Sequence, residues 1–216
     1  MFTEEAQWLK TALQDLDLPA GATVLNIGSS TESFRCLGQP FIDYYVFRPL
    51  EKRGIQTLHV DVRQDEGVDI VCDLTDPANE ALVEKLPQAD VVLCSNMLEH
   101  VRDRGIVVRR LQQLTKPGGH LIITVPHVYK YHEDPIDTMY RPTNKQLEAL
   151  YSRKEFAVVR SAILRVQCGY FDAPWNIRKD IYLRTSTFIR RRFLKHPIKK
   201  DFCRVAVVVL RKTAGA

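Results

Sequence analysis

Short apolar runs, each closed by a polar residue, a proline or a glycine, recur along the chain from Val24 to Pro126. They are VLNI (24–27), QTLHVDV (56–62), VDIV (68–71), ADVVLC (89–94) and GHLIITVP (119–126). Runs with little polar alternation are typical of strands buried on both faces, as in a parallel sheet covered by helices. Two longer runs, FAVVRSAILRV (156–166) and CRVAVVVLRK (203–212), bring the candidate strands to seven.

Segments with helical spacing separate these strands. The predicted helices span 3–16, 77–86, a segment from LEHV to about 114, and 143–152, and a helical or mixed stretch reaches to about 53. Two of them carry a start signal, because Asp76 precedes Pro77 and because Thr143 and Gln146 have capping-box spacing. The segment KPGG (116–119) is predicted to end the third helix.

This alternation predicts an α/β fold with a doubly wound, mostly parallel seven-stranded sheet, helices on both faces and an antiparallel last strand. We expect one domain over residues 1–216. Within it we distinguish an N-terminal helix in 1–20, a loop over 126–143 that covers the substrate, and a basic insert at 169–201 before the last strand. Right-handed crossovers carry the carboxyl ends of the parallel strands to one edge of the sheet.

Composition narrows the class of protein further. With 216 residues and 45% hydrophobic content, the chain can bury one good core. Its five cysteines show no paired or metal-type spacing, which indicates reduced thiols in a cytosolic protein. The amino terminus MFTEEAQWLK lacks a signal-peptide pattern, and no run approaches the roughly 20 apolar residues of a membrane span. We therefore expect a cytoplasmic protein, at most peripheral at a membrane.

The net charge of +5 is concentrated near the end of the chain. Residues 174–212 hold 12 Lys or Arg against Asp180 and Asp201, a local balance of +10 that leaves −5 for the rest. Three interpretations of the basic insert stay open: a solvated helix, a surface for anionic lipid, and a grip on phosphate in a substrate or nucleic acid. The absence of a recognisable RNA-binding motif argues against nucleic acid.

The stretch VLNIGSS, 24–30, reads as strand, tight turn and helix. Gly28 allows the sharp turn, and such a turn directs backbone N–H groups into a crevice at the edge of the sheet. A plain connection between a strand and a helix would look the same. Asp61, Asp73 and Ser95 end later strands, however, and they should converge with Gly28 on one rim.

Five motifs follow one another in a fixed order: VLNIGSS, an acid after the second strand, DIVCDLTD, ADVVLCSNMLEHV and LTKPGGHLIITVP. In this order they resemble the motifs of the class I S-adenosylmethionine-dependent methyltransferases, particularly their small-molecule branch. The resemblance covers roughly residues 23–151. It implies a Rossmann-like fold and S-adenosylmethionine as the cofactor. Nothing in the sequence requires a metal.

The resemblance also implies which residues hold this cofactor. The loop at 26–30 would bind the methionine end, Asp61 the ribose hydroxyls, and Asp73 with Leu74 the adenine, while the ends of later strands lie near the sulfonium. The complete predicted set is Asn26, Gly28, Ser29, Ser30, Asp61, Val62, Asp73, Leu74, Ser95 and Asn96. Asp43, which is closer to Gly28 in sequence, is a rival for the ribose role.

The first motif departs from the family. Asn26 stands where an acid is usual, and Ser29 and Ser30 follow Gly28 where the family has a glycine-rich run. Amide and hydroxyl groups still donate and accept hydrogen bonds, so we favour retained cofactor binding. The alternative is a methyltransferase-fold scaffold or binding protein without catalysis. A nicotinamide dehydrogenase is disfavoured because G-x-G-x-x-G is absent.

The segment PHVYKYHEDPIDTMYRPT, 126–143, is the candidate for substrate chemistry because it is polar, aromatic and broken by proline at the ligand edge. Its candidate catalytic residues are His132, His127 and Asp137, and its candidate substrate contacts are Tyr131, Asp134 and Arg141. A histidine here would take a proton from a hydroxyl or amine. The alternative interpretation is that Asp137 and Arg141 form a salt bridge that only fixes the loop, and that His100 braces its helix without touching substrate.

These features predict methyl transfer from S-adenosylmethionine to an oxygen or nitrogen of a small, glycan or lipid-linked metabolite. The sulfonium activates the methyl group, so the protein chiefly holds the nucleophile in line with it.

Overall fold

A computed structural model describes residues 1–132, 136–167 and 202–215. A sheet of seven strands in the order β3-β2-β1-β4-β5-β7-β6 runs through these residues. The strands are β1 (Thr23–Ile27), β2 (Gln56–Asp61), β3 (Ile70–Val71), β4 (Ala89–Ser95), β5 (Thr115–Val128), β6 (Phe156–Gln167) and β7 (Phe202–Lys212). Pairs from β3 to β5 are parallel, and β7 is antiparallel to both β5 and β6. The predicted sheet, with its antiparallel last strand, is confirmed.

Five α-helices accompany the sheet in the described part of the chain. They are α1 (Thr3–Gln14), α2 (Arg48–Glu51), α3 (Glu80–Val83), α4 (Arg104–Leu114) and α5 (Asn144–Glu148). Single helical turns at Phe34–Gly38, Asp43–Phe47, Pro77–Asn79 and Leu98–His100 fill the connections. The two start signals are confirmed, since Asp76 accepts a hydrogen bond from the backbone of Ala78 and Thr143 forms a capping box with Gln146.

Both faces of the sheet are covered by apolar side chains. Leu9 and Leu13 of α1 pack with Leu93 of β4 in the cluster on one face. On the other face, Leu111 of α4 packs with Leu121 of β5. Because β1 and β4 lie in the middle of the sheet and are buried, their polar groups become accessible only where the strands end.

Strand β5 is longer than the sequence pattern predicts. The third predicted helix ends at Leu114 as expected, but KPGG is part of β5, which begins at Thr115 and pairs with Ala89 across an irregularity in the ladder. Gly119 makes this possible, since a Cβ there would lie 3.0 Å from the carbonyl oxygens of Asp90 and Lys116. Pro126 does not close the strand. Pro126 pairs with β7 and lies beyond the last residue of β5 that pairs with β4, so its lack of an N–H group removes no hydrogen bond to β4.

Some expectations from the sequence concern residues that the structure does not describe, and one expectation about the cysteines is wrong. The basic insert at 169–201 and Asp134 lie outside them. Cys36, Cys72 and Cys94 have free thiols, but Cys203 is disulfide-bonded, so the prediction of five reduced thiols is wrong at that position. Across the described ranges, none of the helices has the length and hydropathy to cross a membrane.

Arg110 secures the segment that follows β3. Its side chain is fully buried, and it donates to the carbonyl oxygens of Leu74 and Asp76 at 2.9 Å and to the Glu80 carboxylate at 2.8 Å. A buried guanidinium with three such acceptors fixes the backbone geometry of the chain that leaves the sheet edge. The positions of Asp73 and Leu74 therefore depend on a residue of α4.

A second polar contact joins β1 and β2 beneath the edge. Asn26 and His59 are partners in the ladder, and the Asn26 amide lies 3.0 Å from His59 Nδ1. Burial, assisted by the positive charge of Arg35, lowers the pKa of His59 to about 4. The imidazole is therefore neutral near pH 7 and accepts the amide hydrogen.

We expect Arg110→Met to lower the free energy of unfolding by more than about 2 kcal/mol, because two backbone carbonyls and a carboxylate lose their donor. The matched control is Arg109→Met. Arg109 is exposed, and its guanidinium lies 3.9 Å from the same carboxylate, which is a long distance for an ion pair. Its loss should therefore change stability by less than about 0.5 kcal/mol. Urea unfolding monitored by circular dichroism measures both. Equal effects of the two substitutions would contradict this account.

His59 should make stability depend on pH in a defined window. The unfolded chain binds a proton at this residue near pH 6.5, whereas the folded chain does so only near pH 4. The contribution of His59 is thus fully present above pH 6.5 and is lost as the pH falls to 4, with an upper limit of about 3 kcal/mol. Urea unfolding of the wild type and of His59→Gln across this range tests it. Identical pH dependence in both proteins would show that His59 contributes nothing.

Candidate active site

A cavity of about 560 Å³ opens at the carboxyl ends of β1, β2, β3 and β4. Its wall includes all ten residues that the sequence predicts as cofactor contacts, namely Asn26, Gly28, Ser29, Ser30, Asp61, Val62, Asp73, Leu74, Ser95 and Asn96. Residues that are far apart in sequence are thus brought together at one edge. Asp43 does not line this wall; its carboxylate pairs with Arg48 at 2.6 Å.

The turn after β1 is clamped to the end of β2. The backbone N–H groups of Gly28 and Ser29 donate to the carbonyl oxygen of Val60, and the N–H of Ser30 donates to the Asp61 carboxylate at 2.7 Å. Gly28 has φ +69°, and a Cβ there would lie 3.2 Å from the side chain of Met97. Glycine is therefore required both by the backbone conformation and by the close approach of Met97.

Arg35 supports this turn from below, and the sequence patterns did not single it out. Its buried guanidinium donates to the carbonyl oxygens of Ser29, Ser30 and Gly67. Burial lowers the pKa of this guanidinium, although nearby acids oppose the shift. An arginine within a helical stretch carries no sequence signal for such a role, since its partners are backbone atoms.

The ends of β3 and β4 present polar groups to the cavity. One carboxylate oxygen of Asp73 accepts from the N–H and hydroxyl of Thr75, both at 2.7 Å. The Ser95 hydroxyl is buried, and it has no hydrogen-bond partner in the described part of the chain. A buried polar atom without a partner at a cavity wall fits a site that binds a polar ligand.

The N-terminal helix closes one side of the cavity through Glu5. This side chain is fully buried, and its carboxylate accepts from Thr124 Oγ1 at 2.6 Å, from the Asn96 amide at 2.8 Å and from the N–H of Phe2 at 3.1 Å. Met1 and Phe2 line the cavity as a result. The sequence pattern placed Glu5 in a helix first turn, where acids are common, and gave no signal for its burial.

Glu99, His100 and His132 form another part of the wall. Both carboxylate oxygens of Glu99 are buried without a hydrogen-bond partner in the described residues, and burial raises the pKa of Glu99 to about 8. Nδ1 of His100 contacts the carbonyl oxygen of Ile136. The rings of His100 and His132 pack edge to face, 5.1 Å apart.

His132 is held by a buried carboxylate. The Asp137 carboxylate accepts from the backbone N–H of His132 and pairs with Arg141 at 2.6 Å. His132 Nδ1 lies 3.2 Å from Asp137 Oδ2, but the geometry is not that of a hydrogen bond, and this buried nitrogen has no hydrogen-bond partner among the described residues. Burial opposes ionisation of Asp137, but the Arg141 and backbone hydrogen bonds outweigh it and hold the Asp137 pKa well below its usual range. Burial and the neighbouring His100 lower the pKa of His132.

The substrate-side expectations therefore divide into two groups. His132 lines the cavity, whereas His127, Asp137, Tyr131 and Arg141 do not. Asp137 and Arg141 form the salt bridge that the sequence left open, and it fixes the loop around His132. His100 does brace its surroundings through Ile136, but its ring also lines the cavity, which the sequence did not anticipate.

Comparison with known proteins gives the family. Residues 1–160 match the family model described as a methyltransferase domain. A ubiquinone biosynthesis O-methyltransferase of Acinetobacter baumannii (strain AYE) is 33% identical in an alignment 86 residues long, and the match covers 35% of this chain and 36% of that protein. The chain thus spans little more than a third of the length of this curated relative.

Solved structures agree in fold. The 1,6-didemethyltoxoflavin-N1-methyltransferase of Burkholderia thailandensis, crystallised with 1,6-didemethyltoxoflavin and S-adenosylhomocysteine, has a TM-score of 0.52 at 18% identity, over 98% of this chain and 78% of that one. The [4+2]-cyclase SpnF has a TM-score of 0.53 at 16% identity, over 99% and 80%. At these identities the likeness concerns the fold, which hosts more than one reaction. With a family model that matches most of its length, the chain belongs to the methyltransferase domain family and has the Rossmann-like fold of class I S-adenosylmethionine-dependent methyltransferases.

Proposed function

We propose that this protein transfers a methyl group from S-adenosylmethionine to an oxygen or nitrogen of a small molecule. The observation that carries the proposal is the convergence of polar groups from four strand ends on one cavity of about 560 Å³. This volume is within the usual range for cofactor and small-molecule sites. When bound, S-adenosylmethionine supplies a methyl group that its sulfonium has already activated.

The proposed cofactor contacts follow from the side chains of the cavity wall that can still form hydrogen bonds. Asp61 accepts one backbone hydrogen bond at each carboxylate oxygen, from Ser30 and from Arg63, and each oxygen keeps a second lone pair for a ribose hydroxyl. Asp73 has an oxygen available to accept from an adenine amino group, and Leu74 offers an apolar face. The unpartnered hydroxyl of Ser95 completes the polar set.

In this proposal the molecule that accepts the methyl group binds against the part of the wall formed by Glu99, His100 and His132. His132 is neutral near pH 7 because burial lowers its pKa, and Asp137 holds the backbone N–H of this residue. An imidazole in this state accepts the proton that a hydroxyl gives up as it attacks. The name of the O-methyltransferase relatives favours oxygen as the acceptor atom. Glycan and lipid-linked acceptors, and a cytoplasmic location with peripheral membrane contact, belong to the same proposal.

A second candidate is a scaffold of this fold that binds ligands without catalysis. It is favoured by one observation, namely that the amide of Asn26 is engaged with His59 where the family has an acid. Turnover of any compound in a metabolite or glycan library would exclude this candidate, provided that the turnover disappears when the cofactor site is blocked.

We expect Asp61→Ala to weaken binding of S-adenosylhomocysteine at least about ten-fold, because two charge-assisted hydrogen bonds are lost. Asp43→Ala removes a partly buried carboxylate that pairs with the exposed Arg48 outside the cavity wall, and it should leave the affinity within about two-fold. Isothermal titration calorimetry with both cofactor forms measures this. The reverse order of effects would refute the ribose assignment, and no binding of either form at millimolar concentration would refute the proposed cofactor.

Gly28→Val should abolish cofactor binding and turnover, because the new side chain meets Met97 at the mouth of the turn. Gly118→Val is the matched control, since Gly118 has φ +78° but a Cβ there would have no atom within 4 Å. Both substitutions should cost about 1–2 kcal/mol of stability from the positive φ. Thermal unfolding and calorimetry on the two variants separate strain from site blockage. Equal loss of affinity in both would contradict the assignment.

A further inference from the structure

The wall formed by Glu99, His100 and His132 has the donors of a metal site. Each of the three side chains offers one ligand atom, and these atoms lie within 4.8 Å of one another. We propose that they bind a divalent transition-metal ion, with Zn²⁺ as the best match, and that this ion holds the oxygen of the methyl acceptor. The role of the ion in acceptor binding rests on the proposed function, whereas the site itself does not.

Glu99 supplies the first argument. Its side chain is fully buried, it lines the cavity, and neither carboxylate oxygen has a hydrogen-bond partner among the described residues. Burying a carboxyl group without partners is costly, so a native chain retains one only where a ligand satisfies it. A cation in the cavity supplies the missing partner for both oxygens.

His100 has the orientation of a metal-bound imidazole. Its Nδ1 contacts the backbone carbonyl of Ile136, which places the ring proton on Nδ1 and leaves the lone pair on Nε2. That Nε2 atom lies 3.8 Å from Glu99 Oε1. A backbone carbonyl behind the remote nitrogen is the usual device that fixes the tautomer of a histidine ligand.

His132 contributes a buried ring nitrogen. Its Nδ1 has no hydrogen-bond partner among the described residues, although it lies 3.2 Å from Asp137 Oδ2. Asp137, itself held by Arg141 and by the backbone N–H of Met139, accepts from the backbone N–H of His132 and so fixes the position of this residue. Ligand atoms around a tetrahedral zinc ion are about 3.3 Å apart, given bonds of about 2.0 Å, so the widest pair must close by about 1.5 Å through rotation of side chains.

The donor set selects the class of ion. Two imidazoles and one carboxylate suit Zn²⁺ or Fe²⁺, whereas Mg²⁺ and Ca²⁺ prefer oxygen ligands throughout. Three protein ligands also leave a coordination position for another molecule, as in catalytic zinc sites. An ion there would orient an acceptor hydroxyl and lower its pKa, so the preferred substrates would be compounds with a metal-binding hydroxyl group. With the ion present, His132 acts as a ligand in place of its role as proton acceptor.

Equilibrium dialysis against Zn²⁺, with elemental analysis of the metal-free and loaded protein, tests the site directly. We expect the wild type to take up one ion per chain, and Glu99→Gln and His132→Asn each to weaken binding at least about ten-fold. Asp137→Asn leaves the three ligands intact but loosens the loop that places His132, so it should weaken binding by a smaller factor than either ligand substitution. His120→Gln is the control, because His120 lies on β5 outside the cavity wall, and it should bind as the wild type does.

Circular dichroism confirms that each variant is folded, and Glu99→Gln removes an unpartnered carboxyl group, so no loss of fold is expected from it. Failure of the wild type to bind Zn²⁺, or unchanged binding in both ligand variants, would overturn the inference. S-adenosylhomocysteine affinity is measured on the same samples. Cofactor binding without zinc binding would refute the metal site alone, and zinc binding without cofactor binding would refute the proposed function while supporting the site.

Discussion

The burial of β1 and β4 on both faces is the constraint on which the rest of this structure depends. Their backbone polar groups form the hydrogen bonds of the parallel ladder, and their apolar side chains pack in the two clusters that cover the sheet. Chemistry is therefore confined to the few residues that come directly after each strand. Gly28, Asp61, Asp73 and Ser95 occupy these places, and a cavity forms where they meet.

Three buried polar side chains hold this edge in shape, and each acts from another element. Glu5 ties α1 to the ends of β4 and β5, Arg35 supports the turn after β1, and Arg110 fixes the chain after β3. All three bind backbone atoms or short polar side chains at more than one point. A ligand would thus meet groups whose positions are already fixed, which reduces the ordering cost of binding.

The sequence predicted the sheet and its seven strands, and it named ten residues that line one cavity, because these depend on local signals: apolar runs, strand-ending acids and one glycine turn. That these ten residues bind the cofactor stays a prediction. It could not predict the roles of Glu5, Arg35 and Arg110, since a charged residue on a helix looks solvent-exposed until its distant partners are known. The same holds for the start of β5 at Thr115. Its turn-like sequence became strand because β4 offered unpaired partners and Gly119 allowed the close approach.

The two sides of the cavity come from separate stretches of chain. The predicted cofactor contacts all lie between Asn26 and Asn96, whereas the wall facing them uses Glu99, His100 and the loop that carries His132. Among the described residues, Thr138 joins that loop to the rest through hydrogen bonds from its N–H and hydroxyl to the carbonyl oxygen of Glu99. Sequence changes in the loop can therefore alter one wall of the cavity while the strand ends that form the other wall stay in place. Such a division lets related proteins differ in what the loop side binds while the strand-end side is kept.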